Sequence, residues 1–345
     1  MPPFTRIKRL GQGAFGEVWL CRDQALDIPC AVKYIDASRI TNPSNFFNEP
    51  QLMERLKHRN IVEIRSAGRF TNHQLYIMMK YYEKRSVDDI WQGSVIPLSK
   101  SIRIIRDILQ ALAFIHKKGH IHRDIKPSNI LIESNGDAVL SDFGLATNIL
   151  NPDHASPLGY RTHCAPEVFT LDRTDNLADI YAVGVTLYRL VNGDSFLPEI
   201  PNSDLEEAII NGKYPDRDRY RLYIPKSLKI IINKALQVLP ENRFQSALNM
   251  LKSIERVKLC ADWIEDETDN SIYWEGKYNR AQYRIEMVKT TSGEVKVISL
   301  RTAKGSNIRR QCHALSKIFN DILIAEKNVA KLLQSFVNGN PLGKL

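Results

Sequence analysis

The string His122-Arg123-Asp124-Ile125-Lys126-Pro127-Ser128-Asn129 constrains this 345-residue chain more than any other feature. It sets a carboxylate, an ammonium and an amide oxygen within a few positions of one another. Asp142-Phe143-Gly144 adds a second carboxylate thirteen residues after Asn129. Phosphoryl transfer from a nucleoside triphosphate needs a carboxylate to orient the attacking hydroxyl and accept its proton. It also needs oxygen ligands for Mg2+ and a cation near the transferred group. Asp124 is the expected base, Lys126 the cation, and Asn129 and Asp142 the metal ligands. Between the two strings, Ile130-Leu131-Ile132 and Ala138-Val139-Leu140 read as a hairpin around Asn135-Gly136.

Upstream stands Gly11-Gln12-Gly13-Ala14-Phe15-Gly16-Glu17-Val18. Alone it fits a tight turn or a dinucleotide fingerprint as well as a phosphate loop. A dinucleotide fold needs a helix directly after the glycines. Here Val18-Trp19-Leu20-Cys21 continues as strand, and a further strand carries Ala31-Val32-Lys33. Lys33 is the expected partner of the nucleotide's α- and β-phosphates, and Glu49 the carboxylate expected to hold Lys33.

These motifs resemble those of a eukaryotic-type (Hanks-type) protein kinase of the Ser/Thr class, over about residues 4–259. The resemblance implies an α+β bilobal protein-kinase fold that uses ATP with Mg2+, Mn2+ being the alternative ion, and acts on protein substrates. It implies that Gly11, Gln12, Gly13, Ala14, Phe15 and Gly16 cover the phosphates and that Val18, Ala31 and Leu131 sandwich the purine. Met79 would be the gatekeeper, and Lys80, Tyr81 and Tyr82 the hinge. Met53, Ile64, His122 and Phe143 would form a hydrophobic stack. Ala165-Pro166-Glu167 would close the activation segment, with Glu167 paired to Arg243, and Asp179 would anchor the catalytic-loop backbone. The alternatives are a pseudokinase scaffold and a small-molecule phosphotransferase. Lys33, Glu49, Asp124, Asn129 and Asp142 together argue against the first, and Ala165-Pro166-Glu167 with Asp179 and Arg243 argues against the second.

Two departures stand out. The family's Ser/Thr members carry a Gly-Thr pair where this chain has Gly159-Tyr160, and Thr162 sits two residues late. Lys126 keeps the expectation on Ser/Thr acceptors. Pro50 follows Glu49 directly, and a proline inside a helix costs about 3 kcal/mol but is tolerated in the first turn. Asn48 is a good N-cap, so the helix is expected to start there and the Lys33–Glu49 pair to form on activation. Arg123 before Asp124 implies an activation segment ordered by phosphorylation. Thr147, Ser156, Tyr160 and Thr162 are the candidate acceptors.

The chain divides into an expected β-rich lobe over 1–82, a helical lobe over 83–261 and a small β-β-β-α domain over 262–345. In the last, the acidic 262–270 stretch reads as a linker. Strands are expected at Ile272 to Glu275, Gln282 to Val288 and Val295 to Leu300, with a turn at Thr291-Ser292-Gly293. A helix is expected from about Asn307 to Phe336. Its Ile308, Leu315, Ile322, Val329 and Phe336 recur every seven residues. That spacing suits a coiled-coil seam or a cover for the domain's own sheet. The domain is a candidate regulatory module or a site for a homodimer or partner protein.

The net charge of +9 divides into +6 over residues 1–261 and +3 over 262–345, without a run of five like charges. A nucleic-acid partner is therefore not expected. Five widely spaced cysteines without a Cys-x-x-Cys pair suggest reduced thiols. The N-terminus lacks the apolar core of a signal peptide, and the longest near-apolar stretch, Ile180 to Leu187, is too short for a bilayer. No membrane association and a cytoplasmic location are expected.

Overall fold

The computed structural model describes residues 4–13, 16–36, 48–70, 74–143, 147–148, 161–171 and 174–341. Strands β1 (Phe4–Gly13), β2 (Gly16–Asp23) and β3 (Ile28–Asp36) open the chain, followed by helix α1 (Asn48–Arg55). Strands β4 (Ile64–Arg69) and β5 (Gln74–Lys80) complete an antiparallel sheet of order β1-β2-β3-β5-β4. Sequence reading anticipated β2 and β3 but missed β4, whose Ile-Arg-Ser-Ala-Gly-Arg run lacks a clear alternation.

Side chains alternate across the sheet. Phe4, Cys21, Cys30, Val32, Tyr34 and Met78 form a small core on its outer face. The Arg6 guanidinium lies 3.8 Å from the Tyr34 ring centre there. Val18, Ala31 and Lys33 therefore share the opposite face, toward the helical lobe. Gly16 has φ +146°, and a Cβ on it would stand 1.9 Å from the Tyr34 carbonyl oxygen. Only glycine lets β2 start this close to β3.

The second lobe comprises α2 (Val87–Trp91), α3 (Leu98–Lys117), β6 (His120–Ile121), β7 (Ile130–Ile132), β8 (Ala138–Leu140) and β9 (Thr147–Asn148). Helices α4 (Pro166–Leu171), α5 (Asn176–Asn192), α6 (Leu205–Ile210), α7 (Lys226–Ala235) and α8 (Ala247–Glu255) follow. Apolar residues at three- and four-residue steps make α3 amphipathic. It buries Ile104, Ile105, Ile108, Leu109, Leu112 and Ile115, each worth about 1.5–3 kcal/mol of transfer free energy. Helix α5 is buried on nearly every side, as its all-round apolar sequence requires. Strands β7 and β8 pair as the expected hairpin.

The C-terminal region departs most from its sequence reading. The 262–270 stretch is not a linker: it forms β10 (Asp262–Thr268), paired with β11 (Ser271–Tyr278). Strands β12 (Ala281–Lys289), β13 (Val295–Thr302), β14 (Arg309–Gln311) and β15 (Lys317–Phe319) extend the sheet to six strands. Helix α9 spans only Ile322–Val337. The heptad positions Ile308 and Leu315 fall outside it, Ile308 63% exposed and Leu315 in a short 3-10 turn. Asp321 sets the start by accepting a hydrogen bond from the Ile324 N–H at 2.9 Å. Helix α9 covers its own sheet: Phe336 is fully buried among Trp263, Tyr278 and Tyr283, with ring centres 4.8–5.6 Å apart. The core of this region is continuous with that of the helical lobe. Among the described residues, no helix is long and apolar enough to cross a membrane.

Candidate active site

The catalytic string leaves α3 through β6 and hangs from α5. Asp179, in the first turn of α5, accepts hydrogen bonds from the backbone N–H of His122 at 2.9 Å and Arg123 at 2.8 Å. Its Oδ2 also lies 2.8 Å from His116 Nε2, in the last turn of α3. Burial opposes ionisation of Asp179, yet His116 and these amides hold its carboxyl below the usual range. The anchor has a conformational role. Arg123 and Asp142 sit at φ 73° and φ 61°, a left-handed geometry that costs a non-glycine residue about 1–3 kcal/mol. The surrounding bonds hold both in place.

Asp124 stands at the centre. Lys126 Nζ reaches both its carboxylate oxygens, at 2.9 and 2.8 Å. Asn129 Nδ2 donates to the Asp124 carbonyl and to its Oδ2, each at 2.8 Å. Both bonds use the amide nitrogen, so Oδ1 is the atom that would face a metal. The Asn129 carbonyl accepts from the Ser141 N–H at 2.9 Å and from its hydroxyl at 3.0 Å, which ties the loop to the residue before Asp142. Lys33 Nζ lies 3.0 Å from Asp142 Oδ1. Desolvation works against the Asp142 carboxylate, but Lys33, with Lys126 behind it, outweighs it and holds the carboxyl below its ordinary value.

His122 is fully buried, and that burial lowers its pKa. A neutral ring fits its contacts: Nε2 faces the Ser141 carbonyl at 3.1 Å, and Nδ1 accepts from the Asp124 N–H at 3.3 Å. Its ring meets Phe143 edge-on at 4.7 Å. With buried Met53 and half-buried Ile64, these are the four residues expected to stack. Phe143 is buried directly after Asp142, whose Oδ1 faces Lys33.

The residues expected to line the purine lie on the sheet and on β7. Val18 stands opposite Lys33, and Ala31 opposite Met79. Lys80 and Tyr82 are fixed from behind. Lys80 Nζ is 2.5 Å from Glu133 Oε1, and the Tyr82 hydroxyl accepts from the Glu63 N–H at 3.3 Å. Tyr81 and Leu131 are half-buried. Gly11, Gln12, Gly13 and Gly16 lie where β1 and β2 meet, with Gly13 opposite Gly16. Ala14 and Phe15 fall outside the described residues.

Glu49 lies in the backbone of α1. Its side chain, and residues 37–47 before the helix, fall outside the described residues, as do Ser156 and Tyr160. Thr147 pairs with Ile121 through β9 and β6, but its side chain is also outside. The Thr162 hydroxyl lies 3.0 Å from His163 Nδ1. The Glu167–Arg243 pair forms as expected, buried and bidentate at 2.7 and 2.7 Å.

Sequence reasoning missed His116, Ser141, Glu133 and Glu63. Each acts through a contact distant in sequence, and only His116, beside a catalytic string in the last turn of a patterned helix, left a usable signal.

The donor set is hard. A carboxylate and an amide oxygen suit Mg2+ or Mn2+, which take several further oxygens from phosphates and water. No cluster of three or more His, Cys, Asp or Glu side chains suited to a metal exists among the described residues. Two protein oxygens with nucleotide phosphates are the arrangement that fits a metal entering with its nucleotide.

The family model described as the protein kinase domain matches residues 4–253. The serine/threonine-protein kinase PknB of Mycobacterium leprae is 32% identical over 260 residues, covering 72% of this chain and 42% of that protein. PknB of Mycobacterium tuberculosis is 32% identical over 262 residues, with the same coverage. The serine/threonine-protein kinase STE20 of Kluyveromyces lactis is 29% identical over 247 residues, covering 71% of this chain and 25% of the relative. The chain thus spans less than half the length of these curated relatives. The family match covers the sheet, the hinge, the catalytic string and the anchor helix alike, and the chain belongs to the protein kinase family.

Proposed function

We propose that this chain transfers the γ-phosphoryl group of ATP to Ser or Thr hydroxyls of protein substrates. The observation that carries the reading is Asp124 held between Lys126 and Asn129, with Asp142 beside Lys33. In this reading Asp124 orients the acceptor hydroxyl and takes its proton. Lys126 neutralises charge on the transferred group. Asn129 and Asp142 hold Mg2+, with Mn2+ as the alternative, and the metal supplies charge neutralisation at the phosphates when bound. Lys33 holds the α- and β-phosphates, with Glu49 as its second partner. The glycine strip covers them, while Val18, Ala31 and Leu131 enclose the purine beside the hinge Lys80 to Tyr82.

Ser/Thr preference is supported by Lys126 in the catalytic loop and by the names of the relatives. Tyr160 in place of the family's threonine leaves Thr162 to contribute the hydroxyl next to the acceptor. Thr147, Ser156, Tyr160 and Thr162 are proposed as autophosphorylation sites that engage Arg123. The proposed units are 1–82, 83–261 and 262–345. A protein that meets its substrates in the cytoplasm fits this reading.

The test is incubation with labelled Mg-ATP and a generic protein acceptor, with Asp142→Asn as control, followed by phosphoamino acid analysis. Phosphoserine or phosphothreonine from the parent alone is expected. Phosphotyrosine as the sole product would overturn the acceptor assignment.

A further inference from the structure

Helix α3 has a defect at its start. Its cap position is Pro97, which offers no side-chain acceptor, and no acidic residue lies in its first turn. The first N–H groups of a helix need outside partners. Here they find one far away in sequence. Asp262, the first residue of β10, accepts from the Leu98 N–H at 2.8 Å, the Ser99 N–H at 3.2 Å and the Ser99 hydroxyl at 2.5 Å.

The neighbouring end of α5 is held from the same strand. The Arg221 guanidinium donates to the Asn192 carbonyl, at the last residue of α5, at 2.7 Å. The Arg221 N–H donates to Asn192 Oδ1 at 3.1 Å. Arg221 is in turn ion-paired with Glu265 of β10, both side chains largely buried. Glu265 also accepts from Trp274 Nε1 at 2.7 Å. The loop before α3 is bonded to α5 directly, from the Ile96 N–H to the Leu190 carbonyl at 2.9 Å. Gln334 of α9 donates to the Leu222 carbonyl at 3.0 Å, one residue after Arg221.

These two helices are the ones that carry the catalytic loop. The last turn of α3 supplies His116, and the first turn of α5 supplies Asp179, which grips the His122 and Arg123 amides. The catalytic loop thus joins the two helices at one end, and β10 joins them at the other.

We infer that β10 is a built-in clamp on the catalytic lobe, with Asp262 as a positioning residue that caps α3 and fixes its placement against α5. The C-terminal region then acts as a part of the catalytic lobe rather than as a detachable module. This rests on the kinase reading for its effect on rate, but the contacts themselves can be tested without it.

The experiment compares the full chain with Asp262→Ala and Asp262→Asn by amide hydrogen exchange and steady-state kinetics. In Asp262→Ala, exchange should rise at Leu98 and Ser99 and also at His122 and Arg123. Its kcat should fall about fivefold, the scale of one lost helix cap expressed as a rate, with the KM for ATP unchanged. Asparagine keeps an acceptor oxygen and is a good cap, so Asp262→Asn should recover most of both. If Asp262→Ala does not fold, Glu265→Gln, which weakens the Arg221 pair, should move the same amides and kcat in the same direction. Faster exchange confined to Leu98 and Ser99, with His122, Arg123 and kcat at parental values, would overturn the clamp. A parent without phosphotransfer would count against the kinase reading, while the exchange at His122 and Arg123 would still decide the clamp.

Discussion

At the residue scale, the site depends on a few charges held in strict geometry. Arg243 uses all its donors: two oxygens of Glu167 and the carbonyls of Gln237, Leu177 and Val238, at 2.7–3.0 Å. Arg243→Met would leave the Glu167 carboxylate buried without compensation, at a cost of about 3–5 kcal/mol. Urea unfolding should show this as a lower midpoint, and an unchanged midpoint would contradict it. Histidines set the acid side. Burial pushes His122 below its ordinary 6.5 and His163 well below it. An unfolded chain takes up protons on these rings near that pH, whereas the folded chain does not. Stability should therefore fall as pH drops below about 6.5, before carboxylates titrate. A urea midpoint at about pH 5.5 equal to that at about pH 7.5 would count against neutral, buried rings. The residues in contiguous strings were legible from sequence, because the chemistry needs them at fixed spacing. Ser141, Glu133 and Asp262 were not legible, since their roles arise only where distant segments meet.

At the element scale, periodicity was a good guide where one face is buried and a poor one where the context is tertiary. The patterned helix α3 and the buried α5 stand where their apolar spacing puts them. Helix α9 is shorter than its heptads suggested. Gly305, Ser306, Ser316 and Asn320 punctuate residues 305–321, which pair onto β13 as β14 and β15 instead. Strand β10 was obscured by its acidity: it carries Asp262, Glu265, Asp266 and Glu267, yet two of these meet partners on the helical lobe. The packing of α9 makes a quantitative prediction. Phe336→Ala would open a cavity among Trp263, Tyr278 and Tyr283, destabilising the protein by about 3–5 kcal/mol. Thermal unfolding would check it, and a loss below about 1 kcal/mol would mean that α9 is not the main cover of the sheet.

At the scale of the whole molecule, the sheet lobe, the helical lobe and the C-terminal sheet are bound by shared contacts rather than strung on linkers. The apolar core runs from Ile108 and Leu112 of α3 through to Trp263 and Phe336. Calorimetry should therefore show the helical lobe and the C-terminal region melting in one transition. Two resolved transitions, with Trp263 fluorescence following the lower one, would contradict this. In the proposed reaction the phosphoryl transfer turns on Asp124. The direct measurement is phosphotransfer to a protein acceptor at saturating Mg-ATP by the parent and by Asp124→Asn, with nucleotide affinity measured in parallel. The parent should phosphorylate the acceptor, and Asp124→Asn should bind nucleotide as well as the parent while kcat falls by about 10²–10⁴. A parent that binds Mg-ATP but makes no phosphoprotein, or an Asp124→Asn variant as fast as the parent, would contradict it.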